Sequence, residues 1–417
     1  MKRLAALGIL ALGLTAGLTA CGDKSGGDNG DNGNNGGGGD NGSTVTLTVW
    51  VDETRINALQ PLVGEYEKSS GVKIKLEQKN FDDIRGDFAT QVAAGKGPDI
   101  TVGANDWMGE FIANNLVQPV DLSGVADQLD KRSVEAYTSG GQTYGVPYAL
   151  ENIGLVRNNK LLAETKATTF DELIAEAKTA GTEHTVLLQV GTEGDGYTAY
   201  PLQSSFGAEV FKQDAAGEWT KELGMTGEPG HKFAEYLGKL GTDKVLSQST
   251  TYDIVKATFQ DGKAPYAITG PWLVADWKAA GMDVTVLPIP SAGGQTARPF
   301  MGVPGFFLSA KSTQKTAAER FMVNFLTSKD TQLALFKTGA RVPANLEASA
   351  DSAVTGDPIV GGFLEAGKDA VLQPSFPEMN QVWKPWGKAE SDIINGADPV
   401  STWDKAMTEI EQAIAAG

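Results

Sequence analysis

Cysteine is nearly missing from this 417-residue chain: Cys21 is the only one, and it directly follows an apolar leader. A lone cysteine forms no internal disulfide, and at this position it reads as a processing site instead of a catalytic thiol. Histidine is almost as scarce. His184 and His231 lie far apart in polar, loop-like stretches, where a surface position is a simpler account than metal ligation. The chain has no G-x-x-x-x-G-K-[ST], no G-x-G-x-x-G after a strand, no G-x-S-x-G and no H-E-x-x-H, so the commonest nucleotide, hydrolase and zinc signatures are absent. Basic clusters are lacking too. Lys and Arg number 35 against 52 Asp and Glu, a net charge of −17. Nucleic-acid binding needs clustered cations and is excluded on that ground. The acidity suits the solubility of an exported protein. Carboxylates are plentiful, so a paired-acid glycosidase stays open as the enzymatic alternative.

Long hydrophobic runs are confined to the N-terminus. Met1-Lys2-Arg3 is a short basic region, and Leu4 to Ala20 is apolar or small throughout. The run is short for a membrane span and ends in small residues, which identifies 1–20 as a signal peptide. Leu18-Thr19-Ala20-Cys21 resembles the lipobox of bacterial lipoproteins, which implies lipidation of Cys21 after cleavage. Gly22 to Ser43 is almost wholly Gly, Asn, Asp and Ser and cannot bury apolar surface. As a flexible tether of about 22 residues it has an r.m.s. reach on the order of 25 Å. The folded part begins near Thr44 and is long enough for two domains.

From there the pattern alternates strand and helix. Val45–Val51 reads as a strand, Asp52–Arg55 as a charged loop, and Leu59, Leu62, Val63 and Tyr66 recur at helical spacing up to Gly71. A strand at 72–76, a helix at 82–94 with Ile84, Phe88 and Val92 on one face, and a strand from Ile100 follow. This order predicts a parallel α/β sheet with right-handed crossovers, and ligands bind outside the carboxyl ends of such strands. Two polar clusters stand there: Asp52 to Arg55, and Asn105-Asp106-Trp107. Further on, Thr168 is the expected cap of a helix over 171–178. Strands are expected at 186–190, 266–269, 284–287 and 300–309. The last third reads as mostly helical, with 316–326, 331–337, 383–394 and 400–414. No single linker divides two sequential domains, which suits lobes made of discontinuous segments.

The stretch Tyr144–Asn158, YGVPYALENIGLVRN, is the most informative. Val146, Tyr148, Leu150, Ile153, Leu155 and Val156 have strand character, while Gly145, Pro147 and Gly154 predict changes of direction. Glu151 is its one carboxylate. It stands either at a wet loop tip or in a cleft, because an ionised carboxylate in apolar surroundings needs a partner or water. Trp107, Tyr197, Trp272, Trp383 and Trp386 sit beside glycine, proline or polar residues, outside apolar runs. Core or interdomain packing is the ordinary fate of any one of them. As a set they suit sugar rings, whose C–H faces pack on aromatic planes while their hydroxyls need fixed donors and acceptors.

From Thr44 to the C-terminus the chain resembles the extracellular solute-binding proteins of bacterial ABC sugar importers, most of all the maltose/maltodextrin-binding proteins. The resemblance is carried by LTVWVDE (47–53), GKGPDITVGANDWMGEFIANNLVQPVD (95–121), YGVPYALENIGLVRNNKLL (144–162), YAITGPWLVADW (266–277), VTVLPIPSAGGQTARPFMGV (284–303) and PEMNQVWKPW (377–386). It implies a two-lobed, hinged type II periplasmic-binding-protein-like α/β fold, with 44–149 plus about 304–350 in one lobe and 150–303 plus about 351–417 in the other. It also implies sugar-binding roles for Asp106 and Glu151 as carboxylates and for Tyr197, Trp272 and Trp383 as stacking rings. Glu53 and Arg55 would supply polar contacts. Gly103 stands where enteric maltose-binding proteins carry a stacking tryptophan, and Trp107 where they carry an arginine. Either that stacking surface has moved to Trp107 or the ligand differs in length or linkage. The implied protein is a monomeric, lipid-anchored binding protein on the outer face of a bacterial membrane, with a Gram-positive cell suggested by the tether. It would need no cofactor or metal, perform no catalysis, and hand malto-oligosaccharides to a membrane permease. Another oligosaccharide or a small solute such as a polyamine, and a sensory or adhesive lipoprotein, are the rival readings.

Overall fold

The computed structural model describes residues 44–215, 217 and 219–416; the leader, Cys21 and the glycine-rich tract lie outside the described residues. The expected β-α-β-α-β opening is present. Thr46–Val51 pairs in parallel with both Lys73–Gln78 and Ile100–Ala104. The crossovers are the helices Glu53–Ser70 and Phe81–Ala93. Gly71 ends the first of them in a left-handed conformation (φ 73°), where its N–H reaches the Glu67 carbonyl and a side chain would be strained. Ile84, Phe88 and Val92 are fully buried, as one face of a helix packed on a sheet requires.

The sheet is mixed, however, and not wholly parallel. Its order runs from Lys73–Gln78 through Thr46–Val51, Ile100–Ala104 and Pro304–Leu308 to Gly145–Pro147. Pro304–Leu308 is antiparallel to both of its neighbours. Local periodicity could not reveal this, because the inserted strand arrives from 200 residues downstream. A second sheet places Val284–Leu287, Gly154–Asn158, Tyr266–Thr269 and Val186–Leu188 side by side. A third joins Val342–Pro343, Ala149–Asn152, Phe300–Gly302 and Val371–Leu372.

Tyr144–Asn158 therefore feeds all three sheets in turn, changing direction at Pro147–Tyr148 and again at Ile153. The strand expected over 300–309 likewise divides at Val303 between two sheets. These divisions separate the hydrophobic cores. Of the two largest, one gathers Leu47, Val49, Phe88, Phe111, Phe306 and Phe321, and the other gathers Leu155, Phe170, Phe211, Phe233, Trp386 and Trp403. The chain passes between the two cores within Ala149–Ile153 and again within Phe300–Val303. Full burial of each such aliphatic or phenyl side chain stabilises by about 1.5–3 kcal/mol.

Smaller differences have local causes. The helix expected to be capped by Thr168 is Phe170–Ala177, and Thr169 caps it in a full capping box with Glu172, while Thr168 also bonds that carboxylate. The helix over 316–326 is Lys315–Arg320 continued by a wider π turn, Phe321–Leu326. The helix Met379–Ile394 starts before Trp383 and carries Pro385 within it. Among the described residues no helix is long and apolar enough to cross a membrane.

Candidate functional site

The first sheet presents its central strand end at Ala104, and a single 3-10 turn, Asn105–Trp107, follows. Asn105 pins this turn: its Oδ1 accepts from the Val303 amide at 3.0 Å, and its Nδ2 donates to the Gln373 carbonyl at 3.3 Å. Asp106 is thereby held almost fully buried. Its carboxylate accepts a hydrogen bond from Trp383 Nε1 at 3.1 Å and lies 3.9 Å from the Arg85 guanidinium. Burial pushes its pKa up, opposed chiefly by the Arg85 charge. Asp106 and Trp383 thus meet although they belong to opposite ends of the sequence.

Glu151 lies in the strand Ala149–Asn152 and forms an ion pair with Arg341, the two side chains being 15% and 8% exposed. Burial draws the pKa of Arg341 down, but the charge and hydrogen bond of Glu151, with Tyr148 and Asp52, together outweigh this and the net shift is upward. The Arg341 guanidinium also sits over the Trp272 ring, 5.6 Å from its centre. Pro271 is the first residue of the helix Pro271–Ala279, which sets the partly buried Trp272 in its first turn. Tyr197 lies 6.5 Å from Trp272, centre to centre, and 6.2 Å from Phe300 with rings nearly parallel. Its helix, Gly196–Ser204, is capped by Asp195, which accepts from the Thr198 amide at 3.1 Å.

The Tyr197 hydroxyl is buried and has no hydrogen-bond partner among the described residues. A Cβ on Gly302 would lie 2.8 Å from that oxygen and 3.5 Å from Glu151 Oε1, so both polar atoms face the space above this glycine. Burial pushes the tyrosine pKa far up, and Glu151 and Asp106 add to the shift, an electrostatic link between the two carboxylates' surroundings. Trp383 completes the aromatic surface and stacks on Trp386 at 5.5 Å. Planar rings, two carboxylates and an unpartnered phenol converge here.

A model of the bacterial extracellular solute-binding proteins matches residues 62–362. The chain belongs to that family. The maltotriose-binding protein of Pyrococcus abyssi is 27% identical over 347 residues, covering 81% of this chain and 75% of the relative. The galactooligosaccharide-binding protein of Bacillus subtilis is 25% identical over 370 residues, covering 86% and 87%. The structure of the Thermus thermophilus maltotriose-binding protein bound with maltotriose superposes with a TM-score of 0.80 at 29% identity, over 88% of this chain and all of that one. The fold is accordingly the type II periplasmic-binding-protein fold, and this solute-binding protein is not an enzyme.

The structure corrects one expected placement and shows how three of the expected site residues are held. Glu53 and Arg55 are not in a loop; they form the first turn of the helix Glu53–Ser70, capped by Asp52, and Glu53 is exposed. Arg55 is 3% exposed and already engaged: Nε donates to the Tyr148 hydroxyl at 2.7 Å, the guanidinium pairs with Asp52, and it covers the Phe81 ring at 4.9 Å. It stiffens the wall behind the site. Trp107 is 7% exposed and belongs to the first core, packed between Phe81 at 5.2 Å and Phe111 at 6.0 Å. A Cβ on Gly103 would come within 2.5 Å of its ring, so the indole occupies the room that any side chain at 103 would need. The departure at Gly103 and the tryptophan at 107 are one steric fact.

Arg341 was missed by sequence reading. Glu151 signalled that a buried carboxylate wanted a cation, but 190 residues separate the pair and nothing local marks Arg341. Both histidines are partly exposed, and His231 lies in the helix Gly227–Thr242 and not in the loop-like stretch expected. His184 lies beside Glu183, and His231 bonds Asp404 at the surface. Among the described residues, no group of three or more His, Cys, Asp or Glu side chains is arranged to hold a metal ion.

Proposed function

We propose that the chain is the lipid-anchored receptor of an ABC importer and captures malto-oligosaccharides between its two lobes. The observation that carries this is the buried, unpartnered Tyr197 hydroxyl facing Glu151 across the side-chain-free space of Gly302. A buried hydroxyl without a partner costs about 1–3 kcal/mol, which a ligand hydroxyl would recover. Trp272, Trp383 and Tyr197 would stack on sugar faces, and Glu151 and Asp106 would accept from sugar hydroxyls. Arg341 pairs with Glu151 and orients its carboxylate for that role. Residues 44–149 with about 304–350 form one lobe and 150–303 with about 351–417 the other, hinged at the sheet that contains Glu151. Closure buries the sugar and brings the two lobe surfaces to the geometry that a membrane permease reads. Cys21 carries the lipid, and the glycine-rich tract lets the receptor range from the membrane, as a monomer.

Galacto-oligosaccharides are the second reading, favoured by the similarity to the Bacillus subtilis protein and by the same aromatic surface. A glycosidase has no support in a family of binding proteins. Removing the Trp272 ring tests the assignment. Trp272→Ala should weaken sugar binding by at least about 30-fold, the loss of a central aromatic anchor of about 2 kcal/mol or more, measured by calorimetry. Full affinity in that variant would move the sugar elsewhere.

A further inference from the structure

Glu390 has no part in the site just described, yet it is one of the most completely enclosed acids in the chain. It is 2% exposed in the helix Met379–Ile394, and its Oε1 is buried with no hydrogen-bond partner among the described residues. It lines a cavity of about 10 Å³ together with Gln189 and Asp195, against apolar Leu188, Val190 and Leu246. That volume matches a single water molecule. Asp195 is the cap of the helix Gly196–Ser204. The two helices meet with no room between them. A Cβ on Gly196 would lie 2.6 Å from the Trp386 ring, and one on Gly194 would overlap the Gly387 carbonyl. Tyr197 rides on one helix and Trp383 on the other, so this joint sets the spacing of two rings of the candidate sugar site.

No cation faces the pair. Among the described residues the charged group within electrostatic reach of Glu390 is Asp195, and beyond it Asp82 adds further negative charge on Asp195. On the neighbouring helix Gly227–Thr242, Lys239 is held by Asp171 and Asp243, Lys232 by Glu228 and His231 by Asp404 of the helix Pro399–Ala416, while Glu235 is exposed. Lys405, Glu409 and Glu411 of that last helix are exposed. Lys388, on the same helix as Glu390, pairs with Asp392. From the other side, Glu110 pairs with Arg85, and Asp106 accepts from Trp383.

We propose that Glu390 is kept as the neutral acid, and that the Asp195–Glu390 pair holds one proton on which the seating of the Gly196–Ser204 helix, and through it sugar affinity, depends. Two anions lining one small, largely apolar cavity repel each other, and Glu390 is itself almost wholly enclosed. Burial pushes the pKa of Glu390 well up and Asp195 pushes it further, against a hydrogen bond from Trp386; Asp195 is itself shifted upward by burial, against the hydrogen bonds it accepts from Thr198. When the proton leaves, the joint must loosen, and Tyr197 moves relative to Trp383. Glu390 is thus a positioning residue, and only the affinity part of this inference rests on the proposed sugar site.

The sign follows from linkage. A folded-state pKa raised above the ordinary 4.5 contributes stability that is complete below that value and lost as pH rises through Glu390's own titration. The test compares the mature wild-type chain with Glu390→Gln, which is isosteric and permanently neutral, between about pH 5 and about pH 9. Melting temperature and tryptophan fluorescence are followed without ligand, and maltotriose affinity is followed by calorimetry. Wild type should lose melting temperature and several-fold in affinity as pH rises, while Glu390→Gln keeps its low-pH values throughout. Asp195→Asn, which retains a capping oxygen, removes the repulsion but not the burial of Glu390, so it should move the loss to lower pH, and it serves if Glu390→Gln folds poorly. Superimposable wild-type and variant profiles would overturn the proposal. If no sugar binds, the ligand-free profiles still decide it, and the sugar reading alone fails.

Discussion

Replacing Arg341 by alanine should destabilise the folded chain by about 3–5 kcal/mol, near the top of the range for a single substitution. Three losses coincide in that variant. The Glu151 carboxylate, only 15% exposed, is left without its countercharge. The Trp272 ring loses the guanidinium over its face, a contact worth about 0.5–2 kcal/mol. The packing around the strand Val342–Pro343 also loses a long side chain that is itself buried. Arg341→Lys should fall between, because it restores charge but not the planar group that covers the indole. Urea denaturation at neutral pH measures both. A loss below about 1 kcal/mol in the alanine variant would place the pair among weak surface ion pairs and remove it from the site's framework.

Trp386→Ala should cost about 3–5 kcal/mol as well, for a different reason. Its indole is fully buried in the second core, donates to Gln203 Oε1 at 2.8 Å, meets the Tyr200 ring edge-on at 6.2 Å and lies directly against Gly196. Truncation opens a cavity that a joint closed backbone to backbone cannot collapse. Trp383 loses the ring on which it stacks, so sugar affinity should fall together with stability. Trp386→Phe, which keeps an aromatic plane, should recover part of both. Thermal unfolding and calorimetric titration of the same samples check the pairing of the two effects. An alanine variant of unchanged melting temperature would show that the helix Met379–Ile394 is seated by other contacts.

Both substitutions concern residues that local pattern ranks poorly, and this marks where the sequence was readable. The opening β-α-β-α-β unit was legible because its buried positions recur at 3.6 and 2.0 residues, and Gly71 stops its first helix by a local rule. Glycine and proline at 145, 147 and 154 correctly foretold that one apolar stretch would turn more than once. What stayed hidden depends on distant partners. Pro304–Leu308 enters the first sheet from far downstream and makes it mixed. Arg341 reaches Glu151 across 190 residues, and Trp383 reaches Asp106 across 277. Arg55 and Trp107 have the chemistry of ligand contacts, but burial against Tyr148, Phe81 and Phe111 gives them structural work. Composition cannot separate those outcomes, because a cation or an indole suits a cleft and a cavity wall equally.

The measurement that bears most directly on the central claim is a calorimetric titration of the mature chain with maltotriose, with maltose, isomaltose and raffinose as comparisons. We expect one-to-one binding of maltotriose, weakened strongly in Glu151→Ala. Binding of another sugar alone would keep the cleft and change the substrate. Silence with every sugar, from protein that is folded and melts cooperatively, would contradict the account.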